Sequence, residues 1–489
     1  MLFNSHIFML LFLPLLLAGW YFLNWKKKFQ LAQGYLIGMS LWFYAYANLQ
    51  YLWLLLFSCL IGWLLSCLPE KIFSEKGKKV LTGVGCVFHL GLLGYFKYSN
   101  FFLENLNTVF HTNFPMLQIL LPVGISFYTF QQLAYLIDRC RGDAPRDSFF
   151  DYLTFMVYFP QLLQGPILLR SEFMEQLKEP ERRRFHAERF SEGIQFFVFG
   201  LAKKVLLADT LAKAVNYGYS NVSMLDSISA LLLAVGYLTE LYFDFSGYCD
   251  MAVGLGKMIG LEVAENFDAP FHSASVKEFW RRWHMTLGRF FTRYVYIPLG
   301  GNRRGKMRTL CNVMIVMLLS GLWHGAAWTF VLWGFLHGVG MIWDNLEHPH
   351  LPKKWMRQAA TFAYVCMTFV FFRAESIAQG FDVLKSIVSL KWNGFVFQMA
   401  SALDMTEFYM ITKALSMKLP GLLSWFWLGI FVVLIAICFR VLSGEKVSGV
   451  VALQRQKGYG RLYPVLLAFL FTWSMISMTG VSEYLYFSF

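Results

Sequence analysis

Long apolar stretches alternate with short charged ones along most of this chain, and the charges fall between the stretches rather than along one face of them. An uncharged run of about 20 residues spans the ~30 Å hydrocarbon core of a bilayer as a helix. Residues 5–23 form the first such run, and Lys26, Lys27 and Lys28 follow it. Residues 29–69 carry no charge at all, enough for two helices with a hinge near Asn48, Leu49 and Gln50. Next come a lysine-bearing loop at 70–79 and a run at 80–96. A stretch at 99–114, whose one charge is Glu104, leads to a run at 115–137 that ends at Asp138, Arg139 and Arg141. Later runs are expected near 194–208, 227–248, 309–321, 326–343, 362–372, 419–439 and 462–479. The pattern predicts an all-α polytopic membrane protein with roughly 10–12 crossings.

Lys and Arg collect in cytoplasmic loops, which puts Lys26–Lys28, the 70–79 loop and Arg139–Arg141 inside and the N-terminus outside. No cleavable signal pattern precedes the first run, so it is expected to remain as a helix. Segment 152–169 is uncharged yet has basic residues on both sides, Arg139, Arg141 and Arg146 before it and Arg170, Arg182, Arg183 and Arg184 after it. A re-entrant segment satisfies the charge rule where a full crossing does not. Pro160 and Gly165-Pro166 suit broken helix buried in protein.

Composition sharpens this picture. Hydrophobic residues make up 57% of the 489 and charged ones 15%, against about 25% charged in a soluble domain. A disordered chain and a water-soluble enzyme are both excluded. The net charge of +13 is read as basic cytoplasmic loops, with no nucleic-acid partner implied. The eight cysteines form no CxxC pair and lie mostly in apolar runs, so neither a disulfide framework nor a metal site is suggested. No internal repeat appears, and residues 1–489 read as one transmembrane domain.

One region departs from the pattern. Between Phe271 and Arg308 there are nine Lys or Arg and one acid, interleaved with aromatics. On a continuous helix Lys277, Arg281, His284 and Gly288 would share a face. Two readings stand: a helix held to anionic lipid by its arginines and tryptophans, or a collar for a polyanionic cytosolic substrate such as a nucleotide cofactor. The apolar run that follows contains Gly321-Leu322-Trp323-His324-Gly325. An ionisable group at membrane depth is costly, so His324 is either functional or a neutral ring bonded to a neighbouring helix. His337 reads as structural. Asp244 is expected near the cytoplasmic end of its span, paired with an Arg of the basic segment. Ser126, Thr129, Gln131 and Gln132 suit helix–helix hydrogen bonds, or Gln131 and Gln132 line a cavity. His6, His89, His111, His186, His272, His348 and His350 are left to surface or core.

These motifs carry a resemblance. Residues 122–131, Tyr242–Gly254, Glu265-Asn266-Phe267, Glu278–His284, Tyr296–Arg303 and Gly321–Ala326, with the N-terminal Met1–Pro14 and Phe96–Phe101, resemble the membrane-bound O-acyltransferases. The likeness is to the bacterial branch that O-acetylates alginate and peptidoglycan. It implies transmembrane, re-entrant and amphipathic helices around a central tunnel. The catalytic core would lie at about 117–346, with less distinctive helices at 375–489. His324 matches the family's hallmark histidine, and His284, 40 residues earlier, matches its second site. The resemblance makes His324 a general base toward an acceptor hydroxyl. His284 would orient the acceptor, polarise the thioester carbonyl or steady the oxyanion. Cytosolic acetyl-CoA is the implied donor, its phosphates drawn by Lys277, Arg281, Arg282, Arg289, Arg303 and Arg304. Gln131, Asp244 and Trp323 are implied as polar or structural tunnel residues. The implied acceptor is an extracytoplasmic polysaccharide, reached from the bacterial inner membrane through a periplasmic SGNH-type (serine-hydrolase-like) transferase. Alternatives are D-alanyl export to teichoic acid from a carrier protein and, from another class, a transporter or flippase whose histidines bind substrate or relay protons.

Overall fold

The computed structural model describes residues 1–47, 49–68, 74–346, 352–442, 446–458, 460–478 and 484–485. Asn48 of the expected hinge, residues 69–73 at the start of the lysine loop, His348, His350 and Thr479 lie outside the described residues. Every regular element among those described is helical. In chain order these are α1 (Leu13–Trp25), α2 (Phe29–Ala47), α3 (Gln50–Cys67), α4 (Glu75–Leu93), α5 (Ser99–Phe110), α6 (Ile125–Arg141), α7 (Phe149–Val157), α8 (Phe159–Leu162), α9 (Arg170–Lys178), α10 (Ala187–Ala202), α11 (Asp209–Ser220) and α12 (Ser227–Ile259). They continue with α13 (Val276–Arg282), α14 (Met285–Phe291), α15 (Lys306–His324), α16 (Trp328–Asn345), α17 (Lys354–Arg373), α18 (Ile377–Val388), α19 (Phe395–Ser401), α20 (Tyr409–Lys418), α21 (Pro420–Leu442), α22 (Val447–Lys457) and α23 (Leu462–Ser477). Among the described residues, six helical stretches are long and apolar enough to cross a membrane: Phe8–Trp25, Gln50–Cys67, Glu75–Phe110, Ser227–Ile259, Lys306–His324 and Pro420–Val441.

α12 is the axis of the molecule. Its 33 residues give a rod of about 50 Å. The Asp226 side chain starts it by accepting from Ser229 N–H at 2.8 Å, and Gly260 at φ +92° ends it. The most extensive helix–helix contact in the molecule joins α10 to α12. Four glycines make that contact. Gly193 faces Gly254 and Gly200 faces Gly247, so close that a Cβ on any of them would collide with the backbone opposite. Without side chains in the seam the two backbones approach directly, which substitutes dispersion for the hydrophobic drive that lipid does not supply.

The ends of the helices sort onto two faces. On the basic face, Trp20 Nε1 donates to Ile259 O at 3.1 Å, Lys277 N donates to Asp344 Oδ2 at 2.8 Å and Arg455 pairs with Glu188 at 2.9 Å. At the opposite face, Trp328 Nε1 donates to Asn105 Oδ1 at 2.8 Å and Gly394 N to Asp226 Oδ2 at 3.1 Å.

Segment 149–170 enters and leaves by one face. α7 and α8 are broken at Tyr158, and Arg170 Nε donates to Asp147 Oδ2 at 2.8 Å, so the two ends of the excursion are tied to each other. The expected re-entrant geometry follows directly from that ion pair. The stretch that follows the run at 80–96 is helical to Phe110. A π-helical turn at Gly94–Tyr98 joins α4 to α5 without a break.

Asp244 departs from expectation. The expected span stopped at residue 248, but α12 runs about three turns further, which places Asp244 near its middle. It binds Lys204 Nζ at 2.6 Å rather than an arginine of the basic segment. Lys204 also reaches Asp209 at 2.8 Å. Gln132 likewise serves helix packing, donating to Ser58 Oγ at 2.7 Å and accepting from Tyr152 at 2.7 Å.

Candidate active site

His324 is the last residue of α15. The chain leaves the helix in an extended conformation at Gly325, where any side chain would strike the Phe330 ring. The imidazole is 4% exposed and is walled by Trp323, Trp333 and Phe372, with ring centroids at 4.8, 5.2 and 5.1 Å. The helix C-terminus leaves carbonyls without intrahelical partners. Here they are taken by one neighbouring turn. Lys97 Nζ donates to Trp323 O at 2.6 Å and to His324 O at 2.9 Å, and Tyr98 OH donates to Leu322 O at 2.5 Å.

His284 does not lie on the helical face expected from its spacing to Lys277 and Arg281. α13 ends at Arg282, Trp283 is extended, and His284 sits at φ +46°, ψ +53° before α14 begins. Asn266 causes the break. Its backbone O accepts from Met285 N at 3.0 Å, and its Oδ1 accepts from Thr286 N at 3.0 Å and Thr286 Oγ1 at 2.9 Å. The same Oδ1 lies 3.2 Å from His284 Nδ1. A peptide N–H only donates, so the Thr286 contact fixes which end of the Asn266 amide is oxygen. That oxygen requires a proton on His284 Nδ1. In the neutral ring Nε2 is then an acceptor. His284 is fully buried.

Trp323 joins the two histidines: its ring centroid is 6.0 Å from that of His284 and 4.8 Å from that of His324. It is held from behind by Phe127 and Phe130 of α6, at 5.2 and 5.4 Å. A cavity of about 70 Å³ reaches His324 and Trp323 between Lys97, Pro122, Gly124, Ser126 and Leu163. A second, amphipathic cavity of about 1110 Å³ lies between α12 and α21–α23, and its lining includes Asn266, Cys249, Lys203 and Asp250. Gln131 is 1% exposed, and both polar atoms of its amide lack a hydrogen-bond partner among the described residues, as do those of Gln164. An unsatisfied buried amide costs ~1–3 kcal/mol unless water or a ligand meets it. His337 is a packing residue, with Trp280 Nε1 donating to Nδ1 at 3.3 Å and Thr368 Oγ1 2.9 Å from Nε2.

The six basic residues named from sequence divide. Arg289 is bound to both Glu172 oxygens and to Ile167 O, Arg282 pairs with Glu278 at 2.9 Å, and Lys277 Nζ donates to Asn345 Oδ1 at 2.8 Å. Arg281, Arg303 and Arg304 are exposed on the basic face. Among the described residues no group of three His, Cys, Asp or Glu gathers to hold a metal.

Lys97 and Asn266 stood in motifs that carried the resemblance but were given no role at the site; Tyr98 caps the end of α15. A lone lysine in an otherwise apolar helix was the available signal for the first.

A buried histidine pair thus shares one tryptophan inside an all-helical domain, with a cavity at one of the rings. The chain belongs to the membrane-bound O-acyltransferase family, whose model matches residues 141–381. It is an acyltransferase with several membrane-spanning helices. It is similar to the peptidoglycan O-acetyltransferase of Helicobacter pylori, 35% identical over 80% of each chain. It is also similar to the probable alginate O-acetylase AlgI of Azotobacter vinelandii, 39% identical over 77% of this chain and 76% of the relative. A teichoic acid D-alanyltransferase of Streptococcus thermophilus is 28% identical over 49% of this chain and 58% of its own.

Proposed function

We propose that this protein is a membrane O-acetyltransferase that receives acetyl groups from cytosolic acetyl-CoA and delivers them for O-acetylation of an extracytoplasmic polysaccharide of the alginate or peptidoglycan kind. The observation that carries the reading is the pair His284 and His324 on the two sides of Trp323, with a cavity at His324. Relatives named for O-acetylation of two different polymers, both 35% identical or more over three quarters of the chain, favour acetyl as the group and leave polymer choice to the acceptor side.

In this reading the basic face is cytoplasmic and the N-terminus faces outward from the inner membrane. Exposed Arg281, Arg303 and Arg304 draw the CoA phosphates. Lys277, Arg282 and Arg289, bound within the protein, shape that face and add to its potential. His324 takes the proton of the attacking hydroxyl, a contribution of roughly 10²–10⁴-fold. With its Nδ1–H directed to Asn266, a neutral His284 presents Nε2 as an acceptor that can orient the acceptor hydroxyl. The buried Gln131 amide, unsatisfied among the described residues, can meet a substrate or a water. Delivery to a polymer outside the membrane calls, in this reading, for a periplasmic transferase as partner.

The test is acetyl-CoA thioester cleavage by purified protein in nanodiscs, read as free thiol, together with the acetyl content of extracted alginate and peptidoglycan. His324→Ala is expected to slow thiol release about 100-fold or more. Release at the wild-type rate rejects His324 as the base. D-alanyl esters on teichoic acid in place of acetyl groups would transfer the reading to the reaction named for the more distant relative.

A further inference from the structure

With Nδ1–H of a neutral His284 directed to Asn266, that ring has no second N–H to offer the acyl oxygen. Thioester attack places a negative charge on that oxygen, and donors or cations arranged around it in advance are commonly the largest single contribution to such reactions. We propose that Lys97 is the catalytic residue that supplies this charge, stabilising the oxyanion in the cavity it shares with His324. The proposal rests on the reading of His324 as the site of acyl transfer.

Four observations support it. Lys97 is anchored: two of its three N–H donors are spent on the carbonyls of Trp323 and His324, at 2.6 and 2.9 Å, which leaves the third. It lines the cavity of about 70 Å³ together with the two residues it binds. Among the described residues no carboxylate pairs with it, so its charge is held only by the negative end of a helix dipole and remains to act on a developing anion. Finally, it sits in the π-helical turn Gly94–Tyr98. An extra residue in that turn re-aims the side chains, a device that recurs at functional sites.

The step balances without another reactant. The acceptor oxygen bonds to the thioester carbon, the carbonyl π pair moves to oxygen facing Lys97, and the hydroxyl proton passes to His324. Collapse restores the C=O bond and breaks C–S, and the departing thiolate takes the proton from His324. Lys97 keeps its proton throughout.

The experiment uses the full-length chain in nanodiscs with acetyl-CoA as probe, with kcat and KM taken from thiol release. Lys97→Met is expected to lower kcat by ~10²-fold with KM within about threefold, because the interaction exists only in the transition state. Tyr98→Phe removes the adjacent bond to Leu322 O without touching charge and is expected to stay within about threefold of wild type. In Lys97→Ala, added propylammonium is expected to restore rate saturably, and propanol is not. If Lys97→Met fails to assemble, Lys97→Gln carries the same expectation. A kcat within threefold of wild type in these variants overturns the proposal. So does a parallel loss of kcat and thermal stability in the Lys97 and Tyr98 variants with no amine rescue, the signature of a helix cap alone. An inactive His324→Ala beside a fully active Lys97→Met rejects only Lys97; a fully active His324→Ala rejects the reading beneath it.

Discussion

Lys97 and Lys204 both lie within apolar helices of this protein, and their surroundings are opposite. Lys204 is bracketed by Asp244 at 2.6 Å and Asp209 at 2.8 Å, and stands 4.6 Å over the Tyr484 ring. The second oxygen of Asp244 accepts from Leu485 N at 3.1 Å. That cluster ties the π-helical turn after α10 to α12 and to the segment at 484–485. Lys97 has peptide carbonyls where Lys204 has carboxylates. A lysine matched by carboxylates is spent on holding helices together. One matched only by dipoles keeps most of its field for whatever enters the cavity. The same residue type is therefore architecture in one half of the molecule and chemistry in the other.

The largest effect should come from the chemical half. His324→Ala is expected to lower thiol release by ~10²–10⁴-fold while the unfolding midpoint in detergent stays within a few degrees. A large loss of stability with it would show that His324 belongs with the structural cluster. The next largest should come from the other half. Asp244→Ala leaves Lys204 short of a partner at depth, and breaking a buried pair costs ~3–5 kcal/mol. Chemical unfolding of the solubilised protein measures this, and the acetyl-CoA KM of the folded fraction is expected to be unchanged.

Asn266→Leu is expected to be milder. It removes the acceptor that fixes the His284 tautomer and the α13–α14 break, each bond worth ~1 kcal/mol, and kcat should fall about tenfold. Unchanged kcat would mean that the His284 ring is oriented by its aromatic walls alone. The smallest effect belongs to the surface. Arg303→Gln with Arg304→Gln should raise the acetyl-CoA KM a few-fold at low salt. The difference should vanish near 1 M salt, where the Debye length falls to about 3 Å. A KM shift that survives high salt would indicate a direct contact rather than a field.

The spans and the re-entrant segment were legible because they depend on local facts. Uncharged length makes a span, and arginines on both sides of 152–169 exclude a crossing there. His324 was legible for the same reason, as a titratable ring inside an apolar run. His284 was recognised by its motif, but its geometry was misjudged. Reading residues 277–288 as one helix assumes that nothing interrupts it, and the interruption comes from Asn266, which lies outside that window. Lys97 stood just past the end of an expected span, in a motif to which no chemical role was assigned. The uninterrupted helix to Phe110 is what draws it into the site.

Hydrophobic runs and the placement of charges between them determined, from the sequence alone, that this is a helical membrane protein with a basic face and a histidine at depth. That much follows from transfer free energies, which act residue by residue along the chain. The tertiary structure decided which polar groups meet: Asp244 with Lys204 across the glycine seam, Asn266 with His284, Lys97 with the end of α15. Those pairings depend on how closely two helices approach and how far each is rotated. Both are set by packing between segments distant in the chain, which no local pattern encodes.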